Sequence, residues 1–164
     1  DVPIAVTAID SEEIEIRGIN NLSDVVELDP SVVIDRGFSP EDTRIAIRGL
    51  SNTRGRSNVA FLVDGVDVTS ESVRSAGSSL LTSQRLLSDV ERIEIVKGPQ
   101  SALYGRSAFA GAISYITRNA NLEHTDGAVF LEAGEYDQYE VSGNFSTPLI
   151  REELAVGLTG AAWD

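Results

Sequence analysis

The stretch VERIEIVKGPQSALYGRSAFAGAISYITR, from Val90 to Arg118, decides how this chain is interpreted. Ile93 and Ile95 alternate with charged residues, which indicates a β-strand. A glycine-proline pair follows, and Pro99 is suited to the first position of a helix, where its missing N–H has no partner to lose. Gly105 is suited to the end of that helix, since positive φ is common there. The predicted helix is too short to be stable alone, so the segment requires a surrounding fold.

The composition indicates an acidic piece of a larger protein. The chain has 164 residues, enough for one domain with a core, and a formal net charge of −13. Such a charge disfavours a nucleic-acid-binding surface, which requires a basic stripe. No apolar run reaches the length of a transmembrane helix. Because the chain contains no Met, we expect it to be part of a longer, processed protein. The absence of Cys is compatible with any compartment.

Short patterns before residue 90 predict a mixed α/β domain. Asp10 is suited to cap a first helix, and Gly18 to end it. Pro30 prevents a second helix from continuing beyond it. Asp64-Gly65 is the sequence expected in a two-residue β-hairpin. Strands are predicted at residues 4–9, 32–35, 44–48 and 59–63, and a long serine-rich loop at residues 69–88.

The pattern changes after Arg118. A polar linker leads into three segments of alternating apolar and polar residues, with turns at 134–138 and 148–153. This alternation is typical of a transmembrane β-barrel meander. A soluble antiparallel sheet has the same alternation, so the pattern alone leaves both structures open. Trp163, at the end of the last segment, is consistent with an aromatic girdle at a membrane interface.

Four motifs together resemble the plug domain of TonB-dependent outer-membrane receptors. They are PIAVTAIDSEEIEIRG at 3–18, RIAIRGL at 44–50, FLVDGV at 61–66 and the stretch that begins at Val90. The resemblance implies an α+β fold, in which a small mixed-sheet plug domain with short helices precedes the first antiparallel strands of an incomplete transmembrane β-barrel. It implies a plug at residues 1–119, a linker at 120–126 and barrel strands at 127–164. The remainder would complete a barrel of roughly 22 strands with a plugged lumen.

The same resemblance implies an active transporter in the outer membrane of a Gram-negative cell. The plug would gate the barrel and bind a ferric siderophore, a cobalamin-like molecule or a glycan through its apical loops. Its partners would be the remainder of its own barrel and TonB, the latter through a segment expected before Asp1 that pairs by strand addition. A soluble periplasmic or secreted ligand-binding module and a signalling receptor with an additional preceding domain are the alternatives.

Enzyme functions are disfavoured by what the sequence lacks. His124 is the only histidine, and without Cys the usual ligands of a zinc site are missing. No nucleophile elbow of the G-x-S-x-G type occurs. The spacing of glycines in GPQSALYGRS, at 98–107, does not fit a phosphate-binding loop. We therefore expect no catalytic residues, no cofactor and no metal.

The arginines suggest where binding takes place. Five of them lie within residues 36–56 of this acidic chain. The resemblance implies that Arg48 and Lys97 contact the barrel wall, because a charge inside a lumen needs a partner. Arg36, Arg54, Arg56 and Asn58 lie in or beside loops that face outward in the family, and they are the predicted substrate-binding residues. The arginines among them favour an anionic ligand.

Overall fold

The computed structural model of the chain describes residues 5–19, 22–36, 43–50, 57–69, 90–105, 107–133 and 139–163. Two compact units are found, Asp1–Thr117 and Arg118–Asp164. The first contains β1 (Ala5–Asp10), α1 (Ser11–Arg17), α2 (Leu22–Glu27), β2 (Val32–Arg36), β3 (Thr43–Ile47), β4 (Val59–Val63), β5 (Val66–Asp67), β6 (Val90–Lys97), α3 (Ser101–Tyr104) and β7 (Gly111–Thr117). The second contains β8 (Asp126–Ala133), β9 (Tyr139–Ile150) and β10 (Leu154–Trp163). The predicted plug, linker and barrel boundaries remain predictions.

A mixed sheet organises the first unit. Its strand order is β1-β6-β7-β4-β5, and β2 and β3 form a separate antiparallel hairpin. β4 and β7 are parallel, whereas the other neighbours in the sheet are antiparallel. The Asp64-Gly65 turn lies where the sequence predicted it and adds the two-residue strand β5 to the edge of the sheet.

Local signals place the first helix where it was predicted. The Asp10 carboxylate accepts a hydrogen bond of 2.9 Å from the backbone N–H of Glu13, which satisfies one free donor at the helix start. Gly18 ends the helix with φ +62 and ψ +41. The helix is only seven residues long, so packing must stabilise it, and Ile14 is buried in the core. That core is built from one face of the sheet, the two first helices and the β2–β3 hairpin.

The start of α3 differs from the prediction. The helix begins at Ser101 with Gln100 as its N-cap residue, so Pro99 precedes the helix instead of occupying its first position. Gln100 has φ −121 and ψ +18, outside the helical region, and its backbone N–H donates to the carbonyl of Ala108 at 2.8 Å, so the helix can start only after it. Gly105 follows the helix with φ +76, as the sequence predicted.

The second unit is an antiparallel meander in the order β8-β9-β10. The sequence predicted a turn from Pro148 onwards, but β9 continues to Ile150 and the turn is at 151–153. Pro148 is tolerated because β8 begins opposite Ser146, so Pro148 has a paired strand on one side only. An irregularity in the register at Leu154/Ala155 also lies beside it. Among the described residues, no helix is long and apolar enough to cross a membrane.

Candidate functional site

One end of the first unit's sheet gathers several of the predicted residues. Lys97, the last residue of β6, lies opposite Gly111 of β7, and Gly111 lies opposite Val59 of β4. Asn58 immediately precedes Val59, and its carbonyl accepts a hydrogen bond of 2.7 Å from the N–H of Ala110. Lys97 and Asn58 are therefore at the same end of the sheet, although the sequence assigned them to different roles.

Lys97 forms a buried ion pair. Its Nζ lies 2.7 Å from Oδ2 of Asp29, and the two side chains are 15% and 3% exposed. Asp29 lies in the connection between α2 and β2, so the ion pair joins that connection to the end of β6. Oδ2 accepts no hydrogen bond of good angular geometry from the described residues, so its partner is the ammonium charge itself. Burial of both partners makes the loss of either one costly.

Ser31 completes the surroundings of Asp29. Its backbone N–H and its hydroxyl both donate to Oδ1 of Asp29, at 3.0 and 2.6 Å. Burial by itself raises the pKa of Asp29, but the close contact with the Lys97 ammonium group and the hydrogen bonds from Ser31, with a smaller contribution from Thr7, outweigh burial and hold that pKa below its ordinary range. Asp29 is thus a stable carboxylate inside the first unit.

Arg48 has an unusual backbone conformation. Its φ is +53 and that of Gly49 is +77, and the N–H of Leu50 donates to the carbonyl of Ile47 at 3.0 Å. Two successive positive φ values across such a bond are typical of a type I′ turn. The left-handed region is strained for a side chain like that of arginine. The Arg48 side chain is exposed, and within the described ranges it has no ion pair.

A hydrogen bond ties the Arg48 turn to the same connection as Lys97. The N–H of Arg48 donates to the carbonyl of Ser31 at 2.7 Å. Ser31 also binds Asp29, which binds Lys97, so the two predicted barrel-contact residues lie at the ends of one continuous chain of contacts. The side chain of Ile47, next to Arg48, lies directly over Gly111. A Cβ added to this glycine would be only 2.9 Å from Ile47 Cδ1.

The sequence had not identified Asp29 and Ser31 as parts of a site. A signal was present, because Asp followed two residues later by Ser is a common turn in which the carboxylate accepts from the backbone. Nothing in the sequence indicates that Lys97, 68 positions further on, is the counter-ion. That pairing depends on tertiary contacts.

Two of the four predicted substrate-binding residues lie outside the described structure. Arg36 is the last residue of β2, and its backbone lies opposite Thr43. Arg54 and Arg56 lie outside the described residues, as does most of the predicted serine-rich loop. Asn58 is described and is half-buried. Their assignment to substrate binding stays a prediction.

The second unit exposes an apolar face. Along its strands, every second residue points to this face, and seven large side chains on it are at least 40% exposed: Val129, Leu131, Tyr139, Val141, Phe145, Val156 and Leu158. The opposite face carries mainly small and polar residues, with Phe130 as a large apolar exception, and Ser142 on this face is only 7% exposed. This distribution is the reverse of that in a soluble sheet, which buries its apolar face. Exposed apolar patches of this kind mark membrane or protein contacts.

The segment before β8 covers part of the polar face. The N–H of Asn121 donates to the Ser146 hydroxyl at 2.6 Å, and a Cβ built on Gly157 would lie 3.5 Å from that of Ala120. The carbonyl of Leu122 accepts from the N–H of Glu152, in the β9–β10 turn, at 2.9 Å. The polar face is therefore the one that faces the rest of this unit.

A mixed α/β domain with the four motifs in order, followed by strands whose apolar side is open, defines an outer-membrane receptor plug with the start of its barrel. A family model described as TonB-dependent Receptor Plug Domain matches residues 1–112. The chain belongs to this family, whose receptors lie in the outer membrane of Gram-negative bacteria.

Curated relatives and solved structures agree with this assignment. The chain is 34% identical over 149 residues to the vitamin B12 transporter BtuB of Vibrio vulnificus. This alignment covers 90% of the chain and 22% of BtuB. It is 33% identical over 161 residues to the iron-regulated outer membrane virulence protein of Vibrio cholerae, with 96% of the chain and 21% of that protein covered. The chain thus spans about a fifth of the length of these relatives.

The fold also matches crystal structures of uptake receptors. The ferric yersiniabactin uptake receptor FyuA from Yersinia pestis superposes with a TM-score of 0.82 at 24% identity, covering 96% of the chain and 24% of FyuA. FpvA of P. aeruginosa, bound to a heterologous pyoverdine, gives a TM-score of 0.81 at 25% identity and covers 100% of the chain and 20% of FpvA. These matches establish the fold of the plug and of the first barrel strands. The relatives are named as transporters and receptors, not as enzymes.

Proposed function

We propose that this chain is the plug and the first three strands of an outer-membrane active transporter that takes up a metal-chelating small molecule. The plug gates the lumen, its apical loops bind the substrate from outside, and TonB drives transport from the periplasm. The observation that carries the proposal is the open apolar face of the meander, which directly follows a plug domain.

The dimensions of the meander support a membrane-spanning role. β9 has 12 residues, which at a rise of about 3.4 Å per residue gives a length of about 40 Å. Tilted by about 45°, as barrel strands are, it spans about 28 Å, close to the ~25 Å apolar band of outer-membrane barrels. A soluble binding module would need another layer to cover the seven apolar side chains, and no described residue in the second unit does so.

Two cations are proposed to seat the plug in the barrel. Arg48 is exposed and has no ion pair in the described structure, which suits a residue whose partner lies on the barrel wall. Lys97 is paired within the plug, so any barrel contact that it makes must share the ammonium group with Asp29. Arg48 is therefore the stronger of the two candidates.

The substrate is proposed to be an anionic metal chelate. The relatives carry the names of a vitamin B12 transporter and of a ferric yersiniabactin uptake receptor, both of which concern metal-containing small molecules. The five arginines within residues 36–56 favour an anionic ferric chelate over a neutral cobalamin or glycan. Arg36, Arg54 and Arg56 would provide the charge, and Asn58 a hydrogen-bonding group.

Equilibrium binding to the complete receptor tests this proposal. We expect Arg54→Ala and Arg56→Ala each to weaken binding of an anionic ferric siderophore at least fivefold and to leave cobalamin binding unchanged. Arg17→Ala is the matched control, because Arg17 is an exposed arginine already paired with Glu13 at 2.9 Å. Equal anion affinity in all variants would refute the charge argument. Absence of binding and uptake of both ligand types would refute transport of a metal chelate.

A further inference from the structure

We propose that Asp29 is a positioning residue that fixes Lys97 and the Arg48 turn relative to each other, through the contacts Lys97–Asp29–Ser31–Arg48. The inference rests on the proposed function, in which Arg48 and Lys97 seat the plug in the barrel. It assigns to Asp29 and Ser31, which contact no barrel residue in this proposal, the task of arranging that pair.

Asp29 has a separate partner on each carboxylate oxygen. Oδ2 lies 2.7 Å from the Lys97 ammonium group, and Oδ1 accepts both hydrogen bonds of Ser31. A carboxylate held on both sides cannot rotate without breaking one set of bonds, and hydrogen bonds to charged groups are among the stronger ones. Asp29 therefore fixes the distance between the end of β6 and the start of β2.

Ser31 transmits this arrangement to Arg48. Its carbonyl accepts the N–H of Arg48 at 2.7 Å, just before the register of the hairpin begins at Val32 and Ile47. Without this bond, one of the contacts that hold Arg48 at φ +53 would be missing. A strained residue persists only where its surroundings determine its conformation. The position of the exposed Arg48 side chain thus depends on a carboxylate that it does not touch.

The Lys97–Asp29 ion pair also makes Lys97 and Arg48 differ in how far their charges are neutralised. Asp29 neutralises Lys97 in a site where the two side chains are 3% and 15% exposed. Arg48 has no such counter-ion among the residues that the structure describes. Of the two cations, only Arg48 is therefore unpaired within the described residues, and a carboxylate of the barrel would meet Arg48 before Lys97.

Two measurements on the complete receptor in detergent report separately on Lys97 and on the Arg48 turn, the two ends of this series of contacts. Lys97 is the only lysine of the chain, so its acylation rate, read by mass spectrometry of its peptide, reports the ion pair. Hydrogen exchange of a peptide covering residues 43–50 reports the Arg48 turn. A peptide covering β7, residues 111–117, reports whether the sheet remains folded.

Substitutions of Asp29 and Ser31 separate the contact with Lys97 from the contact with the Arg48 turn. Asp29→Asn retains an oxygen for Ser31 but removes the charge, and should raise Lys97 acylation about tenfold with little change at 43–50. Ser31→Ala removes the hydroxyl bond to Oδ1 but keeps both backbone bonds of Ser31, so it should leave Lys97 acylation nearly unchanged and raise exchange at 43–50 by less than Asp29→Ala does. Asp29→Ala should raise both about tenfold. Asp67→Ala is the matched control, since exposed Asp67 accepts a similar bond from the N–H of Thr69 at 2.8 Å but forms no ion pair with any described residue.

The proposal is overturned if Asp29→Ala accelerates Lys97 acylation but leaves exchange at 43–50 as in the wild type. It is also overturned if Asp29→Asn leaves acylation unchanged. If Asp29→Ala also accelerates exchange at 111–117, the sheet itself has loosened and this variant is not informative. Asp29→Asn and Ser31→Ala then provide the test. The proposal is refuted unless Asp29→Asn changes mainly Lys97 acylation and Ser31→Ala changes mainly exchange at 43–50. Ion leakage through the closed receptor after Arg48→Ala tests the barrel contact independently, so failure of that contact is distinguishable from failure of the Asp29 arrangement.

Discussion

An arginine on the apolar face of the meander should distinguish a membrane-embedded sheet from a water-exposed one. Leu158 is the best position, because it is 67% exposed and lies opposite Phe145 of the central strand. Its neighbour Thr159 is also exposed but points to the polar face, opposite Asn144. Leu158→Arg and Thr159→Arg thus place the same charge one residue apart, on the two faces of β10.

The expected magnitude follows from depth in the membrane. Phe145 lies six residues after the start of β9 and five before its end. With a rise of about 3.4 Å per residue and a tilt of about 45°, it is about 12 to 14 Å from either end of the strand, which is the middle of a ~25 Å apolar band. Arg at the midplane destabilises such a barrel by about 2–4 kcal/mol, so Leu158→Arg should lower the folded-to-unfolded ratio at least about thirtyfold. Thr159→Arg should cost less than about 0.5 kcal/mol.

The assay is denaturant unfolding of the complete receptor reconstituted in lipid vesicles, together with its yield in the outer membrane. Both positions are exposed in the meander, so in a soluble sheet both substitutions would be tolerated equally. Equal stabilities of Leu158→Arg and Thr159→Arg in vesicles, each within about 0.5 kcal/mol of the wild type, would refute the membrane-facing assignment.

Three further outcomes are expected for the plug. Gly111→Ala should prevent folding, because the new Cβ would lie 2.3 Å from the carbonyl oxygen of Val96. Gly105→Ala meets no atom within 4 Å and should cost only about 1–3 kcal/mol, for its φ of +76 and ψ of −170. Denaturant unfolding compares the two variants. Burial raises the pKa of Asp29, but its hydrogen bonds lower that pKa below 3.8 overall, so its stabilisation is present above about pH 4 and is lost as the pH falls further. The difference in unfolding free energy between wild type and Asp29→Asn should accordingly shrink from pH 5 to pH 2 by acid titration; a constant difference contradicts this. Arg48→Gly should raise plug stability by about 1 kcal/mol, since glycine adopts φ +53 without strain, yet increase ion leakage through the closed receptor; unfolding and conductance measurements would detect the two effects, and unchanged leakage would argue against the barrel contact.

Local patterns predicted most of the elements because the physical signals are local. Asp10 and Gly18 bound α1 as predicted, and β4 has the predicted bounds Val59–Val63. Errors arose where a distant contact competed with a local preference. Pro99 precedes α3 because Gln100, whose N–H binds the carbonyl of Ala108, has a non-helical backbone. β9 passes through Pro148 because β8 does not extend that far.

Motifs, caps and periodicity are properties of neighbouring residues, so the amino-acid order was enough to establish the family, the succession of elements and the alternation of the meander. Three features came from the folded chain alone: Lys97 pairs with Asp29, Ser31 links this pair to Arg48, and the apolar face of the meander is the uncovered one. A counter-ion is selected by burial and by distance in space. Neither quantity is encoded in the spacing of residues along the chain.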